Sequence, residues 1–333
     1  MPMERERVMA TRIGPRALLK PSLPFLRTGL ERFVRMRNLT EAHVRRSWFL
    51  HERAAPVYGR VGDLEVRMAL GARDLRRAQR LRYDVFYKEM SAKPSFMAEL
   101  RRRDEDPYDA VCDHLLVVDH AVTAATLPWS PVRRPEVVGT YRVLRQDVAA
   151  RQNGFYAQGE YDIAPLLQAR AQTHRFLELG RSCVLKPYRN RRTVELLWHG
   201  LWTYVREHGV DVMIGCASFA GTDPSQHACA LSFLHHNALA PREWRCKAHP
   251  HMYQPMNMLA KEQVDTRAAL KALPPLIKGY LRLGAFVGDG AVIDHQFGTT
   301  DVLIILPVEN IDPRYFGHFG APHERTSRIS QGR

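Results

Sequence analysis

The chain has few cysteines and no long apolar run. Its 333 residues include five cysteines, an odd number, widely spaced and without a CxxC pair. This pattern predicts neither a disulfide framework nor a zinc ribbon. No stretch approaches the roughly 18 apolar residues of a membrane span, and no apolar signal core follows the charged N-terminus. We therefore expect reduced thiols in a cytoplasmic protein that is neither secreted nor integral to a membrane.

Several nucleotide-binding and nucleophile motifs are also missing. The sequence contains no Walker loop, no Gly-x-Gly-x-x-Gly fingerprint and no Gly-x-Ser-x-Gly elbow. Its clustered histidines, such as His235, His236, His249 and His251, lack cysteine partners and the His-x-x-x-His spacing of a helical site. No bound metal is predicted from them.

Acidic residues are scarce relative to basic ones. The chain has 49 Lys and Arg against 35 Asp and Glu, a formal charge of +14, which favours an acidic partner such as nucleic acid, anionic lipid or an acidic protein. Residues 1–60 hold thirteen basic and five acidic residues, a net +8. We predict that this segment is a basic arm, either flexible or in contact with the inner face of an anionic membrane. Residues 321–333 are predicted to be a disordered tail.

Between these segments the periodicity predicts one α/β (α+β) domain, residues 61–320, with a central mixed sheet flanked by helices. Predicted helices cover residues 72–90 and about 190–209, the second carrying apolar residues along one face. The predicted strands are 64–70, 114–119, 137–144, 176–185, 210–215 and 301–307, the second and third forming a hairpin.

A strand, a basic turn and a helix follow one another at residues 176–209. The N-terminus of a helix offers unpaired N–H groups and a partial positive charge, which suits a phosphate. The turn adds four cations and contains no glycine, so it suits a single phosphodiester better than a closely wrapped diphosphate. The predicted phosphate-binding residues are Lys186, Arg189, Arg191 and Arg192.

Glu178 and Arg181 lie in the strand just before this turn. Residues three apart point to opposite faces of a regular strand. A bulge at Gly180 would bring both side chains to one face and free a backbone N–H group. The alternative is a salt bridge in a plain strand, and we favour the bulge.

Four short segments carry a family resemblance. They are Arg82–Phe86, Asp106–Asp109, Gly139–Arg142 and Glu178–Arg181, and their order is similar to that of acyl-homoserine-lactone synthases, which have the GNAT acyltransferase fold. With residues 216–224 and 276–294, the chain more fully resembles the ornithine-acyl-carrier-protein N-acyltransferases of bacterial ornithine-lipid synthesis. The resemblance covers roughly residues 62–320.

This resemblance implies transfer of a 3-hydroxyacyl chain from acyl carrier protein to the α-amine of L-ornithine, which yields a lyso-ornithine lipid. The donor would be a phosphopantetheine thioester, and no bound cofactor is expected. Acyl carrier protein is acidic and its arm carries one phosphate, which agrees with the net charge and with the glycine-free turn. The carrier is expected to dock near residues 186–192.

The resemblance also implies roles for individual residues. Glu178 would accept a proton from the amine, and backbone N–H groups near Arg181 would hold the oxyanion. Asp106 and Asp109 would bind the ammonium groups of ornithine. The carboxylate of ornithine would bind to Arg82, Arg142 or Arg181. Alternatively, Arg142 or Arg181 can pair with the acidic residues of the loop and fix their positions. The remaining substrate-binding candidate is Phe86.

Two other functions stay open at this stage. One is an acyl-homoserine-lactone-like synthase, which would consume S-adenosylmethionine. The other is a basic membrane- or nucleic-acid-binding protein without catalysis, for which a steep salt dependence of DNA binding would be diagnostic. An acetyltransferase that uses coenzyme A ranks lower because the turn lacks glycine.

Overall fold

The computed structural model describes residues 55–90, 92–125 and 133–312. Most of the predicted basic arm and the whole predicted tail lie outside the described residues. The first strand starts at Val57, four residues before the predicted domain boundary at residue 61. Residues 57–60 therefore belong to the sheet and not to the arm.

One large sheet organises the described residues. The strands of the described residues are β1 (Val57–Val61), β2 (Leu64–Met68), β3 (Asp113–Ala125), β4 (Arg133–Arg145), β5 (Tyr161–Asp162), β6 (Phe176–Val184), β7 (Val212–Ala220), β8 (Lys247–Ala248), β9 (Tyr253–Gln254), β10 (Phe286–Val287), β11 (Ala291–Asp294) and β12 (Thr299–Pro307). In the large sheet they lie in the order β1-β2-β3-β4-β6-β7-β12-β11-β9, with β10 also on β12, and β5 pairs separately with β8. Every pair of these strands is antiparallel except β6 and β7, which are parallel, so the prediction of a mixed sheet is confirmed.

The helices agree with the predicted positions. The α-helices of the described residues are α1 (Gly71–Tyr83), α2 (Phe96–Arg101), α3 (Gln146–Ala149), α4 (Ala164–Arg170), α5 (Arg191–Glu207), α6 (Ala228–Ala238), α7 (Thr266–Ala272) and α8 (Pro275–Arg282). Helix α1 continues into a π-helical turn, Asp84–Glu89. Helix α5, which follows the basic turn, begins at Arg191 because the side chain of Asn190 caps it.

Helix α5 covers one face of the sheet. Its Leu196, Leu197 and Leu201 recur at helical spacing and are buried with Val66 of β2 in one core. Each such burial stabilises the fold by about 1.5–3 kcal/mol. Gly200 permits the close approach, because a Cβ there would lie 2.5 Å from a methyl group of Val66.

Helix α1 covers the opposite face. Ala78 and Leu81 of the helix, with Val85 of the π-helical turn, pack against Leu116 and Val118 of β3 in a separate core. Helices therefore flank the sheet on both sides, and helix α1 packs against strand β3.

Strands β6 and β7 pair over three residues and then separate. Their pairing ends at Glu178 and Ile214. The next residue, Gly215, passes so close to β6 that a Cβ would lie 2.2 Å from the carbonyl oxygen of Leu179. Beyond Glu178, no described strand pairs with the edge of β6 that faces β7, so that edge borders an opening in the sheet.

The other edge of β6 contains a bulge. Arg181 and Ser182 oppose the single residue Tyr141 of β4, and Arg181 has a φ of +51°, in the left-handed region. The predicted bulge is confirmed one residue beyond Gly180. The strained residue is the arginine itself.

Candidate active site

A cavity of about 440 Å³ occupies the opening between β6 and β7. Part of its wall is apolar and part carries buried ionisable groups, which is the usual composition of a small-molecule site. Its apolar lining includes Leu144, Leu179, Met213, Leu276 and Ile304. Its ionisable lining includes Glu160, Glu178, Arg181, Asp294 and Asp301.

Glu178 is the last residue of β6 that pairs with β7. Its carboxylate accepts the backbone N–H groups of Tyr156 at 2.7 Å and Ala157 at 2.6 Å, and these two bonds fix its orientation. Burial raises the pKa of Glu178 to about 7 although the backbone bonds act in the opposite direction. A buried carboxylate with this pKa can exchange a proton near neutral pH, as the predicted base requires.

Arg181 crosses the cavity wall between two aromatic rings. Its guanidinium carbon lies 5.0 Å from the ring centroid of Tyr156 and 4.6 Å from that of Phe297. Its Nη2 donates to Asp106 at 3.1 Å. Phe86 also lines the cavity, with its ring edge-to-face against Phe297 at 5.6 Å.

Arg82 is completely buried, and it anchors the loop between α2 and β3. Its guanidinium donates to the carboxylate of Asp104 at 2.8 Å and to both carboxylate oxygens of Asp109 at 2.8 and 2.7 Å. A further bond goes to the carbonyl oxygen of Asp104. Arg82 therefore anchors this loop, and because it is buried and does not line the cavity, the geometry disagrees with the prediction that it contacts the substrate.

Arg142 extends the same group of charges towards the cavity. It donates to both oxygens of Asp106 at 2.6 Å and to Asp109 at 3.1 Å. Burial opposes ionisation of Asp109, but Arg82 and Arg142 hold its pKa far below the usual value. We call Arg82, Asp104, Asp106, Asp109, Arg142 and Arg181 the arginine–aspartate network.

This network changes the roles expected for the loop carboxylates. Asp106 and Asp109 already have arginine partners, so the geometry disagrees with the prediction that they bind the ammonium groups of a substrate. The alternative, in which Arg142 and Arg181 order the acidic cluster, matches the observed contacts. Arg142 and Arg181 both line the cavity, whereas Arg82 is not among its lining residues.

The basic turn divides into two parts. Arg189 lines the cavity, forms a bidentate ion pair with Glu89 and donates to the carbonyl oxygen of Val184. Lys186 lies near enough to Glu89 to lower the pKa of that carboxyl group. The other two cations lie at the start of α5. Arg191 is exposed and paired with Glu195, and Arg192 lies against Gly62.

A second carboxylate group was missed in the sequence. Glu160, Asp294 and Asp301 each offer an oxygen within 4.8 Å of the others, and all three line the cavity. We call them the acidic trio. One feature of the sequence pointed to this group: Asp301 is a carboxylate at the start of an otherwise apolar strand. Its partners could not be predicted from the sequence, because Glu160 comes from a loop and Asp294 from another strand.

Burial and the neighbouring carboxylates raise the pKa of two members of the acidic trio. Burial, followed by the charge of Asp301, raises the pKa of Glu160 to about 7. Burial also raises the pKa of Asp301 to about 6. The thiol of Cys216 donates to Glu160 at 3.0 Å.

Comparison with known proteins agrees with the fold. Residues 81–199 match the family model for the Acetyltransferase (GNAT) domain. A curated L-ornithine N(alpha)-acyltransferase of Agrobacterium fabrum (strain C58 / ATCC 33970) is 52% identical over 269 residues, which cover 81% of this chain and 89% of that protein. Its counterpart in Brucella abortus (strain 2308) is 50% identical over 271 residues, covering 81% of this chain and 94% of that protein. The chain belongs to the L-ornithine N(alpha)-acyltransferase family.

The resemblance found in the sequence is thereby confirmed, and the protein is an N-acyltransferase of the GNAT class. Among solved structures, an N-acyl amino acid synthase from uncultured soil microbes is similar over 74% of this chain and 91% of that chain, with 11% identity and a TM-score of 0.41. Within the described residues, no helix is both long and apolar enough to cross a membrane. The predicted membrane contact of residues 1–60 concerns mostly residues outside that range.

Proposed function

We propose that this protein transfers a 3-hydroxyacyl chain from the phosphopantetheine arm of acyl carrier protein to the α-amine of L-ornithine, forming a lyso-ornithine lipid. The acceptor is inferred from the names of relatives with 50% and 52% identity. The chemistry is inferred from the position of Glu178, which lines the cavity at the point where β6 and β7 separate.

The edge of β6 that faces the cavity suits an extended donor arm. Its backbone groups beyond Glu178 have no strand partner on that side within the described residues. Pantetheine contains two amides and can therefore bond to such an edge as an added strand would. In the proposal its thioester lies beside the bulge, and N–H groups near Arg181 donate to the oxyanion.

The phosphate and the carrier protein are assigned to the end of β6. Arg189 lines the cavity there, and Lys186 lies nearby, close enough to Glu89 to lower its pKa. The overall charge of +14 favours an acidic carrier. The apolar lining of the cavity provides a surface against which an acyl chain can pack.

In the proposed reaction Glu178 accepts a proton from the α-ammonium of the acceptor. The neutral amine attacks the thioester carbon, and the tetrahedral intermediate collapses with loss of the pantetheine thiolate. The attacking nitrogen gives up its second proton to that thiolate, so the products are a neutral amide and a free thiol. Glu178 returns its proton to solvent and the carboxylate is regenerated.

An acyl-transfer assay tests this proposal. Purified protein is incubated with 3-hydroxyacyl carrier protein and labelled L-ornithine, L-lysine or S-adenosylmethionine, and the product is extracted into organic solvent. We expect label in the extract from ornithine. Extraction of label from S-adenosylmethionine alone would assign the chain to signal synthesis. If no acceptor is acylated, a non-catalytic binding protein becomes the better hypothesis.

A further inference from the structure

The acidic trio is the part of the cavity wall that the proposed chemistry leaves unused. Its three carboxylates, Glu160, Asp294 and Asp301, come from three separate elements of the fold and meet at one place. Negative charge concentrated in this way in a partly buried cavity wall is costly unless a cation compensates it.

No protein cation pairs with these carboxylates in the described part of the chain. Arg181 is near enough to lower the pKa of both Glu160 and Asp301. Its own ion pairs, however, go to Asp104 and Asp106. The acidic trio therefore faces the cavity with a charge that the fold leaves uncompensated.

A neighbouring hydroxyl provides an independent sign of a ligand. Thr299 is 94% buried, since its relative exposure is 6%, and it lines the same cavity. Its Oγ1 and the Oδ1 of Asp301 are both inaccessible, and neither forms a hydrogen bond of good geometry. The hydroxyls of Thr299 and Ser218 nevertheless approach Asp301 as hydrogen-bond donors and lower its pKa. Buried polar atoms without a well-formed partner are rare, and a ligand donor would satisfy them.

We infer that the acidic trio holds the side-chain ammonium of the amino-acid acceptor and sets the preference for a diamino acid. This inference rests on the proposed function and adds a subsite to it. Asp106 and Asp109 are occupied by arginines, so the acidic trio takes the role that the sequence had suggested for them.

The geometry suits an ammonium ion. Three acceptors at about 2.8 Å from a tetrahedral nitrogen lie about 4.6 Å apart. The oxygens of the acidic trio all lie within 4.8 Å of one another. A divalent cation suits the site less well, because it prefers six or more oxygens and would be repelled about twice as strongly by Arg181.

Replacement of Asp294 by asparagine gives the sharpest test. Its Oδ1 accepts the backbone N–H groups of Gln296 and Phe297 at 2.7 and 2.9 Å, and an asparagine oxygen retains both bonds. Asp294→Asn therefore removes charge and preserves the turn. The matched control is Asp289→Asn. Asp289 is also half-buried, accepts a bond from Tyr253 and is not among the cavity-lining residues.

Comparing two amino-acid acceptors distinguishes an effect on binding of the side-chain ammonium from an effect on catalysis. L-Norleucine has the shape of L-ornithine, with a methyl group in place of the ammonium. We expect wild-type protein to prefer ornithine, and Asp294→Asn to lower kcat/KM for ornithine about 10- to 100-fold, mainly through KM. The value for norleucine should stay unchanged. Glu160→Gln should act in the same direction, and Asp289→Asn should leave both acceptors unaffected.

Each other result contradicts a specific part of the inference. If Asp294→Asn and Glu160→Gln keep the ornithine preference, the acidic trio is not the ammonium subsite. If both acceptors lose activity equally, the acidic trio acts in the chemistry or in the fold. If a chelator abolishes ornithine transfer and Mg²⁺ or Mn²⁺ alone restores it, the ligand is a metal ion. If wild-type protein acylates no ornithine at all, the proposed function itself fails, and the subsite assignment falls with it.

Discussion

Two groups of three carboxylates lie near Arg181 and differ in their counter-charges. The loop carboxylates Asp104, Asp106 and Asp109 are paired with arginines at 2.6–3.4 Å. The acidic trio has no such partner in the described part of the chain, and burial raises the pKa of two of its members. Carboxylates saturated by arginine fix a structure, whereas uncompensated ones form a site for a cationic ligand.

The largest effect should come from removing an arginine of the network. Arg82→Met leaves Asp104 and Asp109 buried without their main partner, which should destabilise the protein by about 3–5 kcal/mol. Urea unfolding measures this change. The control Arg151→Ala removes an arginine that is 69% exposed and should leave the unfolding midpoint unchanged. An Arg82→Met protein as stable as wild type would show that the network does not hold the loop.

Glu178 is a third type of carboxylate, held by backbone N–H groups alone. Glu178→Gln should lower kcat by about 10²–10⁴-fold, because it removes the proposed base and keeps the shape of the side chain. Single-turnover kinetics with acyl carrier protein and ornithine measures the loss, and circular dichroism checks that the variant is folded. Glu195→Gln, at the exposed start of α5, serves as a control with normal activity.

The pH dependence of the same reaction separates Glu178 from its neighbours. Burial raises the pKa of Glu178 to about 7, so it is protonated below that pH and an ionised base above it. Activity should therefore rise between about pH 6 and 8. Glu160 and Asp301 titrate near 7 and 6 in the same cavity. Glu160→Gln should keep the rise, whereas retention of the rise in Glu178→Gln would exclude Glu178 as its cause.

Replacing a carboxylate of the acidic trio should stabilise the protein, whereas replacing an arginine of the arginine–aspartate network should destabilise it. The folded-state pKa of Asp301 is raised from 3.8 to about 6, so folding disfavours its ionised form. Stability is therefore lost as pH rises through this range, and at pH 8 Asp301→Asn should stabilise the protein by about 1–3 kcal/mol. Unfolding at pH 8 and at pH 4 measures the effect, which should be smaller at the lower pH. Destabilisation at pH 8 would mean that the charge is compensated within the protein.

The smallest effect is expected at the basic turn. Arg189 is 39% exposed and already paired with Glu89, so Arg189→Ala should raise KM for acyl carrier protein only about 2- to 5-fold. The effect should fade as salt increases, and kcat should not change. Arg151→Ala again serves as the control. A loss of kcat at constant KM would place Arg189 in the chemistry instead of the docking of the carrier.

The sequence predicted the elements of the fold well because their signals are local. The apolar stripe around Leu197, the start of the helix near Asn190 and the bulge beside Gly180 each follow from a few neighbouring residues. The parallel pairing of β6 with β7 follows from the long crossover helix between them. The close passage of Gly215 against Leu179 depends on distant backbone and could not be read from the chain.

The site was less predictable because its charges are paired over long distances. Glu178 and Arg181 were found through their position in one strand. The environment of Arg82 depends on residues 22 and 27 positions away, so its burial was missed. Likewise Glu160 is separated from Asp301 by most of the domain. Pairing at such separations decides which carboxylates are free, and residue type alone does not reveal it.

The decisive experiment compares L-ornithine with L-norleucine as acceptors for wild-type protein, with 3-hydroxyacyl carrier protein as donor. Transfer to the α-amine of ornithine, with a kcat/KM at least about 10-fold above that for norleucine, is the expected result. Equal transfer to both acceptors would contradict the assignment of the acidic trio, and transfer to neither would contradict the proposed reaction.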